Sequence, residues 1–332
     1  MTAARFSLPV ALVALALVAT AMGSSFMPLD RVVAALLGQG SRPDTVILWN
    51  LRLPRVAMAM LAGAGLGLAG VLLQRAMRNP LASPGVLGIV DGAAVGVLLF
   101  LLLFSNEANA LTVSIAWQPV AAIFGAVVFA LLVARLAARE IARPMTLILY
   151  GIALAALANA VVILLIIAGP VYRASQGLIW LAGSVQSSEW REVWMLATAI
   201  FIAMPFLIAL VRPLDQLHLD DLSAQATGLS VNGTRIGALV VSVLLTAAMV
   251  SIVGGVGFVG LIAPHAARLL FGTGAAWQLT GAASLGAGMV LAADLLVRVL
   301  FQPLEVPAGA VTALIGAPYF LYLLLRLGRA NA

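Results

Sequence analysis

Long apolar blocks, each closed by a short polar or proline-glycine stretch, organise this chain. They fall near residues 7–25, 53–75, 85–105, 117–138, 145–169, 193–211, 236–255, 257–272, 279–301 and 307–327. A helix crosses the hydrocarbon of a bilayer with about 20 residues, so the pattern predicts ten transmembrane helices. The eighth is the least marked, because residues 236–272 contain no real loop. The first block, within "MTAARFSLPVALVALALVATAMGSS", resembles a signal peptide, yet its apolar stretch is long for a signal core. It reads as an uncleaved first span.

Composition agrees with the pattern. Hydrophobic residues make up 63% of the 332 positions and charged residues 9%, with a mean hydropathy of +1.13. A soluble domain carries roughly 45–50% apolar and about 25% charged residues. The solvent for most of this chain is therefore lipid.

Charge sets an orientation. All 18 basic residues are arginine, and they stand singly between the apolar blocks. The net charge of +6 thus describes membrane topology and no nucleic-acid stripe. With ten spans and a cytoplasmic N-terminus, Arg5, Arg75, Arg78, Arg135, Arg212, Arg235 and Arg268 fall inside, joined by Arg139, Arg143, Arg326 and Arg329. The outer side receives Arg31, Arg42, Arg52, Arg55, Arg173, Arg191 and Arg298, offset there by acids such as Asp44, Glu189 and Asp294. Merging spans seven and eight weakens this bias, so ten spans with both termini cytoplasmic is the expectation.

Absent residues narrow the chemistry. Without cysteine there are no disulfides and no thiolate sites. Without lysine there is no complete P-loop and no Schiff base, so any ATP energy enters from another polypeptide. No metal-ligand helix of the H-E-x-x-H kind exists. His265 and His218 stand far apart and read as packing or hydrogen-bonding residues. No catalytic, cofactor-binding or metal-ligating residues are expected. Asp91 is an isolated acid near a span, the one candidate for an ion relay. Asp294 and Arg298 are four apart, a spacing that pairs on one helix face.

Four stretches carry the functional reading. In "LAGAGLGLAG", Gly63 and Gly67 are four apart, and such small-residue faces let helices approach closely in lipid. Residues 53–85 and 236–260 share a rough plan of apolar helix followed by glycine punctuation, as in transporter repeats. In "RNPLASPGVLG", residues 78–88, Pro80 and Pro84 break the helix; non-helical backbone at membrane depth survives only against protein or a water-filled cavity. The polar island 212–235, "RPLDQLHLDDLSAQATGLSVNGTR", predicts a short helix through Ser223–Ala226, capped by Asp220 or Asp221 and stopped at Gly228. Leu219, Leu222 and Leu229 give it an apolar face. At the outer side, Arg52, Arg55 and Arg298 form a basic rim, either anchoring the helices or pairing with an acidic partner.

Three phrases in order, "LRLPR…GAGLGLAGVLLQRAMRNPLASPGVLG", "GFVGLIAPHAARLL" and "ADLLVRVLFQPLEVPAGAVTALIGAPYFLYLLLR", resemble the FecCD-type permease subunits of ABC importers for ferric siderophores, haem and cobalamin. The match covers about residues 50–328. The resemblance implies an all-α polytopic membrane protein, a cobalamin-importer-like permease fold of about ten helices in a single transmembrane domain. It implies a second permease subunit, identical or paralogous, two ATPase subunits, a periplasmic solute-binding protein and residence in the bacterial inner membrane. Leu222, Ala226, Gly228 and Leu229 correspond to the segment that couples to the ATPase. Arg52, Arg55 and Arg298 correspond to arginines that dock the binding protein. Asn79 and Leu81 correspond to a cytoplasmic gate. A second gate loop, commonly small and polar, reads here "ARPMTLIL", so Pro144 and Met145 depart from that pattern. "SVQSSEW", residues 184–190, falls in the outer re-entrant region. A ferric siderophore is the first-choice cargo, then haem or cobalamin; an ion-coupled secondary transporter using Asp91 is the alternative of another class.

Overall fold

A computed structural model describes residues 2–23, 26–106, 110–136, 144–169, 171–186, 188–301, 304 and 306–330. Every apolar block of the sequence is a helix in it. These are α1 (Thr2–Ala21), α4 (Leu53–Ala76), α5 (Ile89–Leu103), α6 (Gln118–Leu136), α7 (Pro144–Ala168), α9 (Trp190–Gln216), α11 (Val231–Val253), α12 (Val259–Phe271), α13 (Ala275–Leu300) and α14 (Ala308–Ala330). Among the described residues six are long and apolar enough to cross a membrane, namely α4, α6, α7, α9, α11 and α13; α1, α5, α12 and α14 contribute shorter apolar stretches. The remaining helices are α2 (Leu29–Leu36), α3 (Arg42–Val46), α8 (Val171–Ala182) and α10 (Asp221–Ala226).

Helix α4 is the axle of the bundle. Its middle is buried on all sides, because glycine lets three neighbours touch its backbone. A Cβ on Gly63 would lie 2.1 Å from the Gly286 carbonyl oxygen of α13, and one on Gly67 2.3 Å from that of Ala282. A Cβ on Gly70 would lie 2.0 Å from the Gly260 oxygen of α12. In lipid, where burial supplies no net drive between helices, such contact is what van der Waals packing and interhelical hydrogen bonds require. One of these holds α11 on the same axle: Ser242 donates to the Ala69 carbonyl at 2.8 Å.

The bundle has two ends. At the rim end, α1 finishes beside the start of α4, and a π-helical turn over Ile47–Arg52 links α3 to α4. Trp190, opening α9, donates to the Trp49 carbonyl of that turn at 2.7 Å. At the other end, the knob end, α4, α9 and α12 finish and α11 and α13 begin. Arg5, near the start of α1, lies 3.9 Å over the Trp277 ring of α13, so α1 runs from knob to rim.

Candidate functional site

At the rim, Arg55 grips Asp294 of α13 with two nitrogens, Nε at 2.9 Å and Nη2 at 2.7 Å from Oδ1. Arg298 Nε lies 3.2 Å from the other carboxylate oxygen, the pairing that the four-residue spacing predicts. Asp294 is 1% exposed, so two guanidinium groups balance one buried carboxylate. The same arginine set holds the end of α1. Arg52 Nη1 donates to the Thr20 and Ala21 carbonyls, each at 2.8 Å, and Arg298 Nη2 to that of Ala19 at 3.0 Å. The last carbonyls of a helix have no intrahelical partner and carry its negative dipole end, which suits two cations. Arg52 and Arg55, three apart in sequence, thus address different helices, Arg52 from within the π-helical turn.

Four backbone breaks meet inside the bundle. The α11–α12 break, residues 254–258, holds Gly254 at φ 73° and Phe258 at φ 64°. It lies one α12 length, ~20 Å, from the knob end. Trp180 and Gly183 close α8 against it: Gly255 N–H donates to the Trp180 carbonyl at 3.2 Å and Ser184 N–H to that of Val253 at 2.8 Å. The start of α14 joins them, Gly309 N–H donating to the Gly183 carbonyl at 2.9 Å. Pro84 arrives from the fourth break, residues 77–88, its Cδ 3.1 Å from where a Cβ on Gly260 would stand. A recess of about 200 Å³ between these segments is lined by Ser83, Gly85, Asp91, Thr246 and Gly257.

At the knob, α10 forms as the sequence predicts. Asp220 caps it by accepting the Ser223 N–H at 2.9 Å, and Ser223 holds that exposed carboxyl below the usual aspartate range. Gly228 takes φ 86° at its far end, and Leu229 N–H returns to the Ala224 carbonyl at 3.3 Å. Leu222 is 80% exposed, Ala226 is exposed and Leu229 half-buried.

What sequence reading missed is how the knob is tied to the end of α4. Arg78, at φ 47°, donates to the Leu217 carbonyl at 2.7 Å and to that of Leu219. Its Nη1 stands 2.7 Å from Asp221 Oδ1. The same carboxylate takes both terminal nitrogens of Arg235, at 3.0 and 3.1 Å. One turn back, Arg75 spans Gln278 at 2.7 Å, Asp215 at 3.1 Å and the Thr273 carbonyl. Asp215 also accepts the Ala275 N–H at 2.7 Å. Separations of 14 to more than 200 residues leave no local pattern for such contacts; only the excess of charge near residues 75–78 and 215–235 hints at them.

The first gate phrase begins at this tie. Asn79 Oδ1 accepts the Leu81 N–H at 2.9 Å, a side-chain turn that bridges Pro80. Asn79 and Pro80 line a cavity of about 210 Å³ with Arg75, His218 and Arg268. His218 Nε2 donates to the Thr273 carbonyl, 3.3 Å away; partial burial and the nearby Arg75 push it below the ordinary histidine range. Pro144 and Met145 open α7, but their side chains lie outside the described residues, as do those of Arg139, Arg143, Arg173, Arg326 and Arg329. His265 packs edge-on to Tyr319, ring centroids 6.2 Å apart.

Comparison with known proteins agrees with this architecture. The FecCD transport family model matches residues 11–326. A Bacillus subtilis (strain 168) protein named "Probable siderophore transport system permease protein" is 42% identical over 94% of this chain and 91% of its own. The Fe(3+)-citrate import system permease protein of the same organism is 39% identical over 96% and 93%. A solved structure, described as a metal-chelate type ABC transporter in an inward-facing conformation, superposes with a TM-score of 0.85 at 29% identity, covering 98% of this chain and all of that one. With nearly its whole length matched in sequence and in fold, the chain belongs to the FecCD transport family and is a multi-pass membrane permease.

Proposed function

We propose that this permease is one membrane subunit of a binding-protein-dependent ABC importer for a ferric siderophore, its 332 residues forming a single transmembrane unit. The siderophore and iron-citrate permeases above support the cargo class. Two permease subunits enclose one pathway, two ATPase subunits sit under the knobs, and a periplasmic binding protein delivers the chelate to the rim. The knob end then faces the cytoplasm, as does the start of α1. ATP hydrolysis takes place in the partner, since a chain without lysine has no complete P-loop.

The observation that carries this reading is the exposed Leu222 on a capped helix whose next residue back, Asp221, is ion-paired to Arg78 at the head of the 78–88 break. Leu222, Ala226, Gly228 and Leu229 form the coupling surface. Asn79 and Leu81, with Pro144 and Met145, form the cytoplasmic gate. When nucleotide closes the ATPase pair, the knob moves, and Arg78 passes that movement to the proline-broken segment. At the rim, Arg55, at 17% side-chain exposure, receives an acidic residue of the binding protein while Asp294 fixes its place; Arg52 and Arg298, 5% and 9% exposed, hold the end of α1 beside it.

Co-purification from membranes tests the proposal. The chain is expressed with its neighbouring genes and pulled down, as wild type and as Leu222→Asp. Recovery of an ATPase subunit with wild type and its loss with L222D, at unchanged thermal stability, is the expected result. No ATPase in either sample overturns the importer reading and moves attention to ion coupling through Asp91.

A further inference from the structure

A third recess, larger than the two above, lies on the outside of the bundle. Its volume is about 300 Å³, between the knob-end halves of α5, α6, α7 and α11. Leu87, Ile89, Val133, Leu147 and Val243 form its wall. Leu131, Val240 and Leu244 stand at its mouth and are 62%, 50% and 54% exposed. Its lining residues carry hydrocarbon side chains only, and a water needs two to four polar partners to stay in such a space. An empty recess would forfeit the dispersion contacts of all these side chains. The exposed residues of α6 and α11 around the mouth are apolar, so the solvent at this face is lipid.

Charge identifies which lipid. Arg135, exposed in the last turn of α6, directly follows the lining residue Ala134. It stands at the knob-end lip, the level of the headgroups, where a basic side chain attracts an anionic phospholipid. We propose that the recess is a binding site for one acyl chain of an anionic phospholipid, its phosphate at Arg135. In the orientation proposed above this is an inner-leaflet lipid, though the site itself does not depend on ATP-driven transport.

The location has a consequence for movement. Leu87 and Ile89 end the 78–88 break, and Leu147 lies one turn inside α7 from Pro144 and Met145. An acyl chain here wedges between the two segments assigned to the gate. The membrane then supplies a packing element that the described residues do not.

The test uses the full-length chain in vesicles of equal parts phosphatidylethanolamine and phosphatidylglycerol. After extraction into mild detergent, native mass spectrometry counts the lipids retained per chain. The wild type is expected to hold a phosphatidylglycerol. Ala130→Phe and Val243→Phe fill the recess from opposite walls, and each is expected to abolish that retention in folded protein. Arg135→Gln leaves the recess intact and is expected to keep a lipid while reducing the preference for phosphatidylglycerol about fivefold. A folded filled variant that retains lipid as the wild type does overturns the proposal. So does an unchanged headgroup preference in R135Q, which needs no repacking to be read. Loss of self-association in the filled variants, with lipid retention unchanged, assigns the recess to an interface between copies of the chain and also overturns it.

Discussion

Replacing Asp221 by asparagine keeps the shape of the knob and removes the charge that joins it to the 78–88 break. Asp221 stands 2.7 Å from Arg78 and 3.0 Å from Arg235. The Arg235 side chain is 3% exposed and that of Asp221 38%. Breaking a fully buried pair costs about 3–5 kcal/mol. Water reaches part of this carboxylate, and the amide still accepts one hydrogen bond, so the expected loss for D221N is about 2 kcal/mol. Arg78→Met, at a side chain one-third exposed, costs about 1 kcal/mol. The two losses are expected to be less than additive, because they remove the same contact. The assay reconstitutes the permease with the ATPase and binding protein proposed above in vesicles, and reads chelate uptake and ATP hydrolysis together. Uptake per ATP in D221N is expected to fall about fivefold or more, with hydrolysis continuing. A lowered melting temperature with unchanged uptake per ATP would reduce the tie to a scaffold and refute its role in transmission. Unchanged stability and unchanged uptake would refute the energetic argument itself.

Asp294→Asn leaves Arg55 and Arg298 without a counter-charge at a site 1% exposed, and is expected to cost about 3–5 kcal/mol; size-exclusion profiles in detergent report the loss of folded protein. Gly70→Ala places a methyl 2.0 Å from the Gly260 carbonyl oxygen, a backbone contact that cannot yield, so it separates α4 from α12 and is expected to abolish expression of folded permease. His218 faces Arg75, Arg268, Asp215 and the Thr273 carbonyl. Its native pKa lies below the ordinary value near 6.5, so the unfolded chain takes up its proton first. Stability is then full above the ordinary histidine range and declines as pH falls toward the native value. Melting temperatures across that window are expected to slope in the wild type and to flatten in His218→Gln; equal slopes refute the assignment.

Periodicity and composition were enough for the ten apolar helices, because lipid demands a single long hydrophobic run for each crossing. Local chemistry was enough for α10, whose cap and glycine stop fall within nine residues of one another, and for the Asp294–Arg298 pair. Illegible elements share a physical reason. Helix α8 is amphipathic and covers only Val171–Ala182, so its run is shorter than a span. Helices α2 and α3 sit above the bundle, held by contacts such as Arg31 Nε to Asp44 at 3.1 Å, and need no spanning length. The rim illustrates a subtler loss. Arg52 closes a π-helical turn and Arg55 lies in the first turn of α4, and their spacing of three does not reveal that each reaches a different helix. Arg55 found Asp294 239 residues away, a contact that helix spacing does not encode.

The opening of the chain at 78–88 follows from what the other breaks do. A helix interrupted at membrane depth frees N–H and carbonyl groups that lipid cannot satisfy. Here the breaks satisfy one another: Ser184 with Val253, Gly255 with Trp180, Gly309 with Gly183. That exchange requires glycine at the crossings, since a Cβ on Gly254 would lie 2.1 Å from the Trp180 oxygen and one on Gly309 2.2 Å from that of Ala182. Two positions stand apart. Gly85 is exposed, and a Cβ on Gly257 would meet nothing within 4 Å. Gly85 lies in the 3-10 turn Pro84–Leu87 and Gly257 in non-helical backbone, both beside the Asp91 recess. Open backbone of this kind is stable against water or against another protein surface, and unstable against acyl chains. The face carrying Gly85 and Gly257 therefore borders water or another protein surface, whereas the apolar face of α6 and α11 borders lipid. One rule about unsatisfied backbone thus separates the two sides of the subunit.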